Sequence, residues 1–395
     1  MATGYLVLLL VAACWAYPQD VPESALGKVI DRASMKVLKE AFTLEAGKNV
    51  VSSPLGMLLL LSQYSAGLGD GALKQEITSL LSTKGYSELV ADYGKLSNTF
   101  SSLNPNFLSL KNKIYVAEGF TLDDEFSASS RGTYRSEIEN LKFTEPNKAA
   151  AVINEWAEKE THGNIKNAVS PDALSPDVAV AMFNVIYFKG QWEYPFTKEE
   201  TKEKDFHLSK DKKVKKSIMH VMKNFRYHDS ELLGAQLAEL PYQEEGFRMI
   251  VALPHEVDGL SSVVEKVAQN GLLGEASKLE YTRGGVCLEL PKFNVDSDLD
   301  FEDILKKVGL SHLFTEPATK LVKNQSVVVS KAFQKAFIKV DEEGSTAGAF
   351  SGLFAEYSIT SVQHYDPPIE FHVDRPFFYS ILHKDIVLFT GAYIN

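Results

Sequence analysis

The chain has 395 residues, 45% of them hydrophobic and 24% charged, the balance of a soluble globular protein with a sizeable core. Its formal net charge of −11 speaks against nucleic acid as a partner, because phosphate binding needs a basic surface. Length favours several domains, yet no Pro-, Gly- or Ser-rich linker and no internal repeat divides residues 17–395, so a single large domain is expected.

Residues 1–16 read MATGYLVLLLVAACWA, with an apolar run at 5–13 and small residues at Cys14 and Ala16. The run is too short to cross a bilayer and reads as a secretory signal peptide, although no basic residue lies near Met1. A secreted, extracellular protein without a membrane segment is expected. Cleavage would remove Cys14 and leave Cys287 as the one cysteine, so no internal disulfide is available.

Leu26, Ile30, Ala33, Val37 and Ala41 recur at helical spacing and predict a first amphipathic helix. Ser53 and Pro54 then lead into LGMLLLLSQYSAGL, apolar nearly all round and therefore a buried helix. Gly67-Leu68-Gly69-Asp70-Gly71-Ala72 fits the loose dinucleotide pattern G-x-G-x-x-A, but a helix precedes it where that motif needs a strand. A helix–helix turn explains it better. Helices follow at 73–80 and 89–103, a strand at 108–116 and a helix at 153–161. Residues 178–188 form a near-continuous apolar run, a strand covered on both faces, and Asn184 within it must find buried partners.

Lys210, Lys212, Lys213, Lys215 and Lys216 make a dense basic run. It is either a solvated hairpin tip, the simpler reading, or a glycosaminoglycan site. Short strands and turns are expected at 240–242, 249–254 and 288–293, and Asn324-Gln325-Ser326 is a glycosylation sequon. A strand-like run at 327–340 ends in the acidic turn Asp341-Glu342-Glu343-Gly344. Beyond it, Ser345, Ala347, Ala349 and Ser351 alternate and would share one face of a strand. This is either a surface loop rich in small residues, or a segment able to slip between two strands.

No G-x-S-x-G elbow, H-E-x-x-H helix, phosphate loop or paired cysteine motif is present, and the nine histidines are scattered. An enzyme is therefore not expected, nor a metal or a cofactor.

Several strings decide between the two readings of the loop. Glu342-Glu343-Gly344-Ser345-Thr346-Ala347-Gly348-Ala349 resembles the reactive-centre hinge of the serpin family, and Asp374-Arg375-Pro376-Phe377-Phe378-Tyr379 with Leu388-Phe389-Thr390-Gly391 resembles its C-terminal signature. Four further segments are similar to serpin motifs: Asn49 with Val50-Val51-Ser52-Ser53-Pro54; Ile153-Asn154-Glu155-Trp156; Tyr187-Phe188-Lys189-Gly190-Gln191-Trp192; and Ser330-Lys331-Ala332-Phe333-Gln334. Together the resemblance spans about 30–394. It implies an α+β serpin fold: helices around a large mixed β-sheet, two smaller sheets and an exposed reactive-centre loop at about 344–368.

The function implied is that of a monomeric suicide-substrate inhibitor. A target protease cleaves the loop and forms a covalent complex, and the freed hinge, Glu342, Glu343, Gly344, Ser345, Ala347 and Ala349, enters the main sheet. A non-inhibitory serpin, a carrier, storage protein or chaperone, is the alternative; the small residues at 345, 347, 349 and 351 favour inhibition. Counting from Gly344 at the family's usual distance puts the reactive bond at Ser358–Ile359, with Tyr357–Ser358 second and Thr360–Ser361 third. Counting back from Phe371 lands near Val362 instead. Such a loop suits chymotrypsin- or elastase-like proteases, and papain-like cysteine proteases remain open. The family also implies a sheet-opening network around Ser53, Asn184 and Gln334. Two departures touch it, since Ser is common where this chain has Gly56 and His where it has Gln334.

Overall fold

A computed structural model of the protein describes residues 23–345 and 366–395. Ser24 caps the first helix, Ala25–Leu44, its hydroxyl accepting from the Gly27 amide at 2.9 Å. The stripe Ile30, Ala33, Val37 and Ala41 is buried, as its spacing demands. The next helix, Pro54–Ser65, is buried along its whole length. Pro54 sits in the first turn, where a missing amide hydrogen costs nothing. This helix packs against strands of two different sheets, which is why no polar face survives.

The mixed sheet runs in the order Phe293–Asp300, Val329–Val340, Val180–Phe188, Leu108–Ala117, Glu137–Leu141. Its two central strands, Val180–Phe188 and Val329–Val340, are parallel and pair directly with each other. Helix Pro146–Glu160 lies over this sheet, with Trp156 edge-on to Tyr115 at 6.4 Å. A second, all-antiparallel sheet has seven strands and holds the C-terminal pair Phe377–His383 and Ile386–Tyr393. The third sheet has four: Ile369–His372, Val286–Pro291, Lys212–Lys223 and Lys202–Ser209. The α+β architecture is the expected one, although among the described residues the antiparallel sheet outnumbers the mixed one in strands.

Two local expectations change. The run at 288–293 is two strands in two sheets, Val286–Pro291 and Phe293–Asp300. Pro291 has no amide hydrogen to continue a ladder, so the chain leaves one sheet there and enters the other. The helix expected from 153 begins at Pro146, since Ala149 and Ala150 carry the buried face before any large apolar residue appears. Lys210 stands at the turn between Lys202–Ser209 and Lys212–Lys223. Alternation divides the remaining lysines between the two faces of the hairpin, and Asp205 pairs with Lys213 at 2.6 Å and Lys215 at 2.7 Å. Asn324 is exposed in a turn with φ of 58°, a conformation that asparagine tolerates well. Among the described residues no helix is long and apolar enough to cross a membrane.

Candidate functional site

The strand Val329–Val340 ends in a tight reversal. Asp341 N donates to Gly344 O at 2.9 Å, and Gly344 N donates back to Asp341 O at 3.3 Å. The chain now runs the other way: Gly344 bridges Gln191 in antiparallel fashion and Ser345 N donates to Gly190 O at 2.7 Å. Its first residues therefore lie against the segment just beyond Phe188, at the upper end of the two central parallel strands. A glycine is obligatory at the corner. Gly344 has φ of 150°, and a Cβ there would stand 2.0 Å from Gly190 O.

Aromatic packing and ion pairs hold this corner. Ser345 is fully buried, its Oγ 2.9 Å from Tyr242 Oη. Trp192 stacks on Tyr242 with centroids 4.5 Å apart and donates Nε1 to Asp341 O at 3.0 Å. The Glu342 carboxylate meets Lys292 Nζ at 2.8 Å and accepts from Thr201 Oγ1 at 2.8 Å. Burial pushes the Glu342 carboxyl up, but Lys292, its own backbone amide and Thr201 outweigh this and hold it below its ordinary range. Glu343 pairs with Lys198, whose side chain is largely in solvent. Of the expected hinge, Glu342, Glu343, Gly344 and Ser345 come together here. Ala347, Ala349, Tyr357, Ser358 and Ile359 lie outside the described residues, as does the segment 1–16.

Lower on the same strand, Gln334 faces Asn184 in the parallel ladder. All four hydrogen-bonding positions of its amide are used. Nε2 donates to Ser53 O at 2.6 Å and to Asn184 Oδ1 at 2.8 Å; Oε1 accepts from Ser52 Oγ and Ser53 N, each at 2.8 Å. Asn184 Nδ2 donates onward to Asn112 Oδ1 at 2.7 Å. This knot ties both central strands to the head of the buried helix and contains no titratable group.

Ser53 enters the knot through its backbone, while its own hydroxyl is buried without a hydrogen-bond partner among the described residues. Ser52 supplies the hydroxyl instead. The two departures noted in the sequence prove to be adjacent. A Cβ on Gly56 would lie 2.2–2.4 Å from the Asn184 amide group, so Gly56 makes room for the orientation of Asn184 that Gln334 requires. Sequence reasoning missed Ser52, Asn112, Thr201 and Lys292. Thr201 and Lys292 stand 141 and 50 residues from Glu342, and no local pattern marks either.

The family model described as "Serpin (serine protease inhibitor)" matches residues 29–395. The chain is 32% identical over 367 residues to "Antitrypsin" of Bombyx mori, covering 92% of this chain and 93% of that one. It is 33% identical to "Alaserpin" of Manduca sexta, covering 94% and 95%. Among solved structures, Serpin48 of Tenebrio molitor superposes with a TM-score of 0.81 at 30% identity, covering 94% of this chain and 98% of that one.

Proposed function

Because the chain belongs to the serpin family, we propose that it is a secreted suicide-substrate inhibitor of chymotrypsin- or elastase-like proteases, not an enzyme. The observation that carries this reading is the corner at Gly344 and Ser345. It has already reversed the chain, so a strand continuing downward would lie antiparallel to both Val180–Phe188 and Val329–Val340. Those two strands are held to each other by a parallel ladder, the slightly weaker kind. Separating them loses one ladder, and a strand inserted between them gains two. The net gain of about a dozen hydrogen bonds at ~1 kcal/mol each is on the order of 10 kcal/mol, comparable to the stability of a whole domain. The intact fold is correspondingly metastable.

In the reaction, the nucleophile of the target protease adds to the carbonyl carbon of Ser358. The bond to Ile359 breaks, the Ile359 amine leaves with a proton, and Ser358 stays bound to the enzyme as an acyl ester. Insertion of the freed hinge, the family's general mode of action, then draws the bound protease away from the loop's original position before water can complete the cleavage. Tyr357–Ser358 and Thr360–Ser361 are the second and third choices of bond. No Lys or Arg lies between Lys339 and Arg375, so an acidic specificity pocket would go unpaired. Trypsin-like targets are thereby disfavoured, although one relative is named an antitrypsin. Ser358 suits a small elastase-like pocket and Tyr357 a chymotrypsin-like one. In the Ser358 register, Tyr357 also fits the second pocket of papain-like cysteine proteases.

We further assign residues 1–16 as the secretory signal, Asn324 as a glycosylation acceptor, and the monomer as the acting form. The split and partly neutralised lysines at 210–216 favour a solvated hairpin over a glycosaminoglycan site. A panel of elastase, chymotrypsin, trypsin and papain, each mixed with the protein and run on a denaturing gel, tests the proposal. A gel-stable complex with elastase or chymotrypsin is expected, with a released peptide that begins at Ile359. Cleavage by every protease with no complex would overturn inhibition and favour a carrier or storage role.

A further inference from the structure

Away from the hinge, the outward face of the four-stranded sheet gathers metal-binding side chains from three adjacent strands. Cys287, on Val286–Pro291, is the register partner of Glu370, and the same parallel ladder pairs Glu289 with His372. On the other side, Glu289 stands opposite His220 of Lys212–Lys223. Val286, Leu288, Leu290 and Phe371 are fully buried on the inner face. Strand alternation therefore sends Cys287, Glu370, His372 and His220 outward together.

The distances are short. The ligand atoms of Cys287, Glu370 and His372 all lie within 4.8 Å of one another. His372 Nε2 is 2.7 Å from Glu370 Oε2, and Cys287 Sγ is 3.4 Å from His220 Nε2. The other ring nitrogen of His220, Nδ1, is 3.2 Å from Glu200 Oε2. A carboxylate in that position fixes the ring and leaves Nε2 directed at the thiol, the arrangement that supports a metal-binding histidine. Glu289 is drawn aside by Lys204, so it is not counted in the set.

We propose that Cys287, His220, Glu370 and His372 bind one zinc ion, which staples the strand following the bait loop to the body of the protein. Thiolate, two imidazoles and a carboxylate suit a borderline-soft cation with tetrahedral preference. With Zn–S of about 2.3 Å and Zn–N or Zn–O of about 2.0–2.1 Å, ligand atoms of a tetrahedral site stand roughly 3.3–3.6 Å apart. Glu370 and His372 are exposed and Cys287 is half-buried, so their side chains have room to reorient, and His220 joins the group through Cys287. Binding exchanges the thiol proton for the metal, and the proton passes to buffer.

The location gives the site a consequence. Among the described residues Ile369–His372 is an edge strand of four residues, paired on one side only, and it comes directly after the expected reactive-centre loop in sequence. Backbone hydrogen bonds to Val286–Pro291 hold it, and a metal shared by Glu370, His372, Cys287 and His220 would add side-chain bonds to both neighbouring strands. The sequence reading expects no metal, because the histidines are scattered along the chain. His220, Cys287 and His372 are far apart in the chain and meet only through the sheet.

Cobalt(II) titration of the reduced, intact protein tests the proposal, because a cobalt–thiolate bond produces an intense near-ultraviolet band and tetrahedral cobalt produces strong visible bands. One equivalent is expected to develop both, and zinc to abolish them by displacement. Cys287→Ser is expected to remove the ultraviolet band while keeping the metal-free unfolding midpoint. His372→Ala and His220→Ala are each expected to weaken cobalt binding at least 10-fold. Absence of the band in the parent protein would overturn the site. A band that persists unchanged in both histidine variants would reduce it to a lone thiol and overturn it equally.

Discussion

The strand Val329–Val340 is anchored to its surroundings in two chemically different ways. Just past its end, Glu342 and Glu343 are gripped by Lys292 and Lys198, whose side chains reach solvent. At its middle, Gln334 and Asn184 are 2% and 1% exposed and joined by neutral amides. Water and salt compete for the first set and cannot reach the second. Salt weakens the ion pairs past the strand's end, while the buried Trp192–Asp341 and Ser345–Tyr242 bonds there stay dry; the knot in the middle holds no pair that salt can weaken. The upper end responds to its surroundings, and the middle holds the strands closed.

The largest expected effect comes from undoing both holdings at once. Cutting the loop between 355 and 364 should let the hinge insert, and ~10 kcal/mol of new ladder at about 2–4 °C per kcal/mol raises the melting midpoint by roughly 20–40 °C. Thermal unfolding of intact and nicked protein measures this, and equal midpoints would mean that nothing inserts. Ala347→Arg should abolish both the rise and the covalent complex while cleavage continues, because a charge would have to enter the sheet's buried face.

Breaking the knot alone comes next. Gln334→Ala leaves the Ser53 backbone and Asn184 Oδ1 unsatisfied and should cost about 3 kcal/mol in urea unfolding. Gly56→Ser forces a side chain into the Asn184 amide and should cost about 1–3 kcal/mol. If Gly56 and Gln334 form one rearranged unit, the pair Gly56→Ser with Gln334→His should couple by about 1 kcal/mol or more. Simple additivity in that cycle would show the two departures to be independent.

The smallest effect belongs to the corner, and it is the one that depends on pH. Glu342→Gln should cost about 1 kcal/mol at neutral pH, since Lys292 is partly solvated. The folded-state pKa of Glu342 is depressed, so its contribution is complete above the unfolded value near ~4.3. It is lost as pH falls through the lower folded value. The stability gap between parent and variant should therefore close in acid, whereas the gap for Gln334→Ala should not depend on the ionisation of either side chain. A pH-independent Glu342→Gln gap would remove charge from the account of the corner.

Much of this was legible in the sequence. The buried helix Pro54–Ser65, the doubly covered strand Val180–Phe188 and the glycine at the hinge corner all follow from local rules: spacing decides which faces are buried, and a reversal at φ of 150° admits only Gly344. Which distant side chain each polar group meets was decided by the tertiary structure alone. Nothing near Glu342 announces Lys292 or Thr201, and nothing near Gln334 shows that Ser52 donates or that Gly56 must stay small. Pro291 marks a break in a strand without saying which sheet comes next, and Cys287 looks solitary until three strands align. The physical reason is that periodicity is written by neighbours three or four residues away. Polar partnership depends instead on strand order and register, which emerge only when hundreds of weak contacts are satisfied together.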